Sequence, residues 1–164
     1  MLAMLMASAW LSALGSADGC WRGVMYYDDG LGSSKLATMP MTMCRETSAG
    51  GDMIRSDLTY HDILGDIHGI GVAAADRDGG LRETYAMPGE ATLSVYQGGE
   101  YGGEGVDNWT VTLRGEEFDG QEVIEVQLKI EREQDQLWIR KSVRAADDEE
   151  LSLRHRVEFK LETE

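Results

Sequence analysis

Few side chains in this sequence suit catalysis or ligand recognition, and their spacing narrows what they can do. Cys20 and Cys44 lie equally far from Gly32, inside the turn-rich run Asp28-Asp29-Gly30-Leu31-Gly32-Ser33-Ser34. An antiparallel hairpin folded about that run sets the two cysteines opposite each other, close enough to be bridged. Lys141 and His155 form the second pair. Alternation places both on the apolar face of their segments, where a buried amine or imidazole needs a partner. Two inward polar groups in an apolar setting suit the anchoring of an acidic or carbonyl-bearing ligand. The plainer alternatives are that the pair reaches water at a barrel mouth, or that an inward carboxylate satisfies it. Glu83, in phase with Leu81, Tyr85 and Met87, is the candidate for that carboxylate.

Other chemistries find little support. Neither His61 nor His68 has metal-ligand spacing with another His or Cys, and the two read as neighbours on a surface hairpin. Asp76-Arg77-Asp78-Gly79-Gly80 opens like a calcium loop, but it lacks the third acidic ligand and the terminal glutamate, so it reads as a turn. No nucleophile elbow, phosphate loop or dinucleotide fingerprint is found. The glycine-dense run Gly98–Gly105 lies between two strands without a following helix, and reads as a mobile loop at a barrel rim. No catalytic residue, metal or cofactor is therefore expected. An enzymatic use of the interior, with His155 as general base beside Lys141, is the lesser alternative.

The elements that position these residues read as strands. Short alternating segments are separated by turn signals every 8 to 15 residues. The segments are Trp21–Tyr27, Lys35–Cys44, Met53–His61, Asp66–Ala74, Leu81–Met87, Ala91–Tyr96, Val106–Arg114, Gln121–Glu133, Gln136–Arg144 and Ser152–Leu161. The hairpin about Gly32 pairs Trp21 with Met43, Gly23 with Met41 and Met25 with Met39. A two-residue turn at Gln134-Asp135 pairs Ile130 with Ile139, Leu128 with Lys141 and Val126 with Val143. The next turn, near Asp147–Glu150, pairs Val143 with Leu153, Lys141 with His155, Ile139 with Val157 and Leu137 with Phe159. Such a succession predicts an all-β, antiparallel up-and-down barrel of about 8–10 strands, closed so that no long edge is exposed. The methionine stripe is commonly core; lining a cavity, it would make an adaptable apolar wall.

The 164 residues suit a single domain, residues 18–164, with a sizeable core. Fifteen Lys and Arg against 30 Asp and Glu leave a net charge of -15, which disfavours nucleic acid and anionic membrane surfaces as partners. A monomer is expected. Residues 1–17 are apolar, too short to span a bilayer, and end in the small residues Gly15-Ser16-Ala17. They read as a signal peptide, or alternatively as a helix capping one end of the barrel. With the cysteine pair, this predicts a periplasmic or secreted protein.

Gly19-Cys20-Trp21 at the start of the first strand resembles the Gly-x-Trp signature of lipocalins and the wider calycin-like barrels. Extended by Arg22-Gly23, it also resembles uncharacterised bacterial lipocalin-like proteins. The resemblance implies a cup-shaped barrel holding a small, mostly apolar molecule. It implies a tryptophan, Trp21, packed across the closed end beneath an arginine from near the C-terminus, here Arg154 or Arg156. It transfers no catalytic residue. The sequence thus predicts binding of a small apolar or amphiphilic ligand by an interior that includes Trp21, Met25, Met39, Met41, Lys141 and His155. The alternative is a filled barrel serving as a structural or interaction module.

Overall fold

The computed structural model describes residues 10–28, 35–76, 80–119, 122–144 and 149–162. Ten strands follow in order: β1 (Gly19–Tyr27), β2 (Ala37–Thr47), β3 (Met53–Asp62), β4 (Gly65–Ala75), β5 (Leu81–Met87), β6 (Glu90–Gly103), β7 (Asn108–Asp119), β8 (Glu122–Glu133), β9 (Gln136–Arg144) and β10 (Ser152–Leu161). Each pairs antiparallel with the next, and β1 pairs with β10 to close the barrel. Closure gives every strand a partner on both sides, which removes the sheet edge that would template aggregation.

The first hairpin has the register its residues predict. Cys20 faces Cys44, Trp21 faces Met43, Gly23 faces Met41 and Met25 faces Met39. Cys20 and Cys44 are disulfide-bonded, with Cα atoms 4.0 Å apart. The bond ties residues 24 apart in sequence. By loop-closure entropy it should contribute about 3 kcal/mol. Replacing both cysteines by serine is expected to lower the melting temperature by about 6–12 °C for a domain of this size. Thermal unfolding of the variant, and of the wild type under reductant, checks this; an unchanged transition refutes it. The turn about Gly32, the centre of the calcium-like run and part of the turn before β10 lie outside the described residues.

Three strands run further than sequence alternation suggests. β2 continues through Arg45 to Thr47, paired with β3. β7 continues past Arg114 to Asp119, paired with β8. β6 continues to Gly103, so the glycine run is strand and not a mobile loop as far as that residue. Its glycines admit a neighbour: a Cβ at Gly99 would lie 3.1 Å from the Trp10 ring and 2.9 Å from a Leu113 methyl. A bulge between Tyr96 and Gly98 re-phases the strand before this extension.

Trp10 belongs to a short helix, α1 (residues 10–15), followed by a turn at residues 16–17. The helix closes the barrel end that carries the β2–β3, β6–β7 and β8–β9 connections. Trp10, Leu11, Ala13, Leu14 and Ala17 are buried in one core with Trp21, Trp109, Val111, Leu113 and Leu137. Ser16 is held from both sides: its hydroxyl donates to the Val106 carbonyl at 2.9 Å and accepts from Trp109 Nε1 at 2.9 Å. Arg132 donates to the Ser16 carbonyl. Asp18 accepts from the backbone N–H and hydroxyl of Thr47, fixing the chain where it enters β1. Among the described residues, no helix is long and apolar enough to cross a membrane.

Candidate functional site

The last two hairpins bring the predicted polar pair together. Ile130 faces Ile139, Leu128 faces Lys141 and Val126 faces Val143. Lys141 faces His155, Ile139 faces Val157 and Leu137 faces Phe159. The expected Val143–Leu153 pair does not form. A bulge between Leu153 and His155 places Ser152 opposite Val143 and Leu153 opposite Ser142. The same bulge frees Arg154 from strict alternation, and its guanidinium reaches an inward carboxylate.

That carboxylate is Glu117, fully buried on the extended part of β7. Lys141 Nζ forms an ion pair with its Oε2, and Ser94 Oγ donates to the same oxygen at 2.8 Å. Arg154 Nη1 donates to its Oε1 at 2.9 Å. Glu90 joins from the rim, 3.9 Å from Arg154. Glu117, and not Glu83, therefore satisfies Lys141. Glu83 does face inward, but it accepts from the Tyr96 hydroxyl at 3.3 Å.

The electrostatics follow from burial. His155 is pushed down to about 4 by desolvation, with the Lys141 and Arg154 cations adding to the shift and Glu117 opposing it. The imidazole is neutral at neutral pH. So weak a base gives little support to general-base catalysis by His155. Burial also raises the Tyr60, Tyr85 and Tyr96 hydroxyls, so all three stay protonated. Tyr85 and Tyr60 share a hydrogen bond of 2.9 Å.

Lys141, His155, Glu83, Ser94, Tyr60 and Tyr85 line an interior cavity of about 160 Å³. Its apolar wall includes Met25, Met41, Met43, Ile139, Val157 and Phe159, and its polar wall includes Arg45, Glu83, Tyr85, Lys141 and His155. Four of the six residues predicted to line the interior therefore meet there: Met25, Met41, Lys141 and His155. Met39 continues the same face of β2 but does not line the cavity. Trp21 lies outside the cavity wall, fully buried in the core with the residues of the α1 end. Its Nε1 donates to the Ala17 carbonyl at 2.9 Å.

An arginine does lie over the Trp21 ring, 5.6 Å from its centroid, but it is Arg132 of β8. The C-terminal arginines are otherwise engaged, Arg154 on Glu117 and Arg156 over Tyr26 at 4.6 Å. Arg45 is the cavity cation that sequence reading missed. The signal for it was phase: Met39, Met41 and Met43 point inward, and the next residue in that register is Arg45.

The remaining histidines lie on the outer surface. His61 contacts Asp66 and Thr42 at 3.0 Å each, and His68 contacts Thr59 at 3.2 Å. Among the described residues, no group of three or more His, Cys, Asp or Glu side chains could hold a metal ion.

No protein-family model matches the chain, and no curated protein does either. Among solved structures, the chain is similar to the crystal structure of Rv2717c from M. tuberculosis. The likeness covers 93% of this chain and 97% of that one, with a TM-score of 0.66 and 15% sequence identity. At that identity the likeness speaks to the fold alone, a ten-stranded closed antiparallel barrel.

Proposed function

We propose that this barrel holds a small amphiphilic molecule in its interior, in the manner of lipocalin-like carriers, and that it works as a monomer in the periplasm or outside the cell. The observation that carries the reading is the mixed cavity lining, which sets methionine and aliphatic side chains beside fixed polar groups. Flexible methionines let such a wall adapt to an irregular apolar surface. Convergent polar groups orient the other end of a ligand. The volume is on the order of that which admits one aromatic ring or a short chain. The Cys20–Cys44 disulfide supports an oxidising compartment.

Native mass spectrometry of protein purified without refolding tests the proposal. A retained adduct, or uptake of a small amphiphile from a lipid and metabolite extract, supports it. A clean apo mass without uptake favours a packed structural module instead.

A further inference from the structure

Resting on the reading above, we propose that the occupant is a compact carboxylate whose anionic group is received by Arg45 at the deep end of the cavity. Arg45 lies on the inward face of β2, between Met43 and Thr47, and so nearest the end closed by α1. It lines the cavity and is 9% exposed. Its Nε has no hydrogen-bond partner. Among the described residues, no carboxylate comes within ion-pair distance of its guanidinium.

The two carboxylates whose charges act on Arg45 are Glu83 and Asp18. Both are already engaged, Glu83 by the Tyr96 hydroxyl and Asp18 by Thr47. The other interior cations differ in this respect. Lys141 and Arg154 converge on Glu117 and hold each other's counter-charge in place. A buried guanidinium N–H without an acceptor is costly to the fold. The same group is a pre-organised receptor for a planar anion, because its fork of donors matches a carboxylate.

The pairing of the other cations agrees: Lys141 is served by Glu117 and Arg154 by Glu117 and Glu90, whereas Arg45 has no carboxylate at ion-pair distance among the described residues. Size sets the rest of the ligand. About 160 Å³ accommodates a single ring or short chain against Met41, Met43 and Phe159.

The test compares benzoate with benzyl alcohol, which have the same ring and differ in charge, by calorimetry on the full chain. The wild type is expected to bind benzoate at least about 10-fold more tightly, as a charge-assisted hydrogen bond in a dry site implies. Arg45→Met is expected to lose that preference while still binding benzyl alcohol. Should the variant not fold, the side-chain Nε–Hε resonances of the wild type decide. Benzoate must shift that of Arg45, and an unmoved resonance overturns the proposal. Equal binding of both probes by the wild type overturns the anion receptor and leaves interior binding standing. A preference that survives in Arg45→Met overturns it by pointing to another cation. Binding of neither probe overturns both readings.

Discussion

Replacing Glu117 by leucine is expected to cost about 3–5 kcal/mol, because it takes from buried Lys141 its ion-pair partner and from Arg154 the more closely placed of two carboxylates. Lys141 Nζ and Arg154 Nη1 both reach Glu117, whose side chain is fully buried while that of Lys141 is only 13% exposed. Leucine keeps most of the volume but supplies no charge and no acceptor for Ser94. In a domain of this size the loss corresponds to a fall in melting temperature of about 6–20 °C. Combining Glu117→Leu with Lys141→Met removes the cation that Glu117 alone pairs and should recover part of the loss. The recovery, read from a double-mutant cycle, should be about 1–3 kcal/mol. Chemical unfolding of the four proteins checks this. A loss below about 1 kcal/mol in Glu117→Leu, or no recovery in the double variant, would show that water and not Glu117 compensates these cations.

This cluster also marks where the sequence stops being legible. The pairing of β1 with β2 could be read because a symmetric turn and an alternating Thr-Met-Pro-Met-Thr-Met run fix the register from both sides. The pairing of β8 with β9 could be read because Gln134-Asp135 is a two-residue turn, in which Gln134 adopts a positive φ of 55°. Both registers are local, decided by residues close in sequence. Glu117 and Arg45 were hidden for a common reason. Each lies just beyond the point where apolar alternation gives way to charged residues, Arg114-Gly115-Glu116-Glu117 on β7 and Arg45-Glu46-Thr47 on β2. The strands continue there because the neighbouring strands supply hydrogen-bond partners, which single-strand patterning does not record.

The bulge in β10 was hidden differently. Leu153-Arg154-His155 carries no glycine or proline to announce it, and a shift of one residue changes which side chain faces inward. The sequence therefore showed that Lys141 and His155 would be inward, but not that Arg154 would join them. It allowed that an inward carboxylate would satisfy Lys141 but pointed to Glu83 for it, and it did not show that Arg45 would be left without one. The candidate polar anchor moved from one strand to another because pairing across the barrel, and not the presence of a cation, decides which charge is left to meet a ligand.

Deleting residues 1–17, so that the chain begins at Asp18, is expected to produce a second large loss of stability. Residues 10–17 contribute Trp10, Leu11, Ala13, Leu14 and Ala17 to the core, each 6% exposed or less. Burying a large apolar side chain is worth about 1.5–3 kcal/mol, and three of these five are large. Fixing the short segment costs about 1–2 kcal/mol per residue in backbone entropy, at least as much as these side chains return, so the balance also rests on the barrel surface the segment covers at Trp21, Trp109 and Leu113. A polar partner left behind tips the balance. Without the segment, Trp21 Nε1 loses the Ala17 carbonyl and is left without an acceptor, while Trp109 Nε1 keeps the Val106 carbonyl and Arg132 keeps Val106, Gln134 and Asp107. Each buried donor left unsatisfied costs about 1–3 kcal/mol. The net loss should be at least the cost of the orphaned Trp21 donor, about 1–3 kcal/mol. It should come with increased exposure of Trp21 and Trp109, read as a red shift in tryptophan fluorescence and faster quenching by acrylamide. A chain starting at Asp18 that melts with the full-length protein and keeps its tryptophans shielded would show that the barrel closes this end without α1. It would also leave processing after Ala17 compatible with the fold.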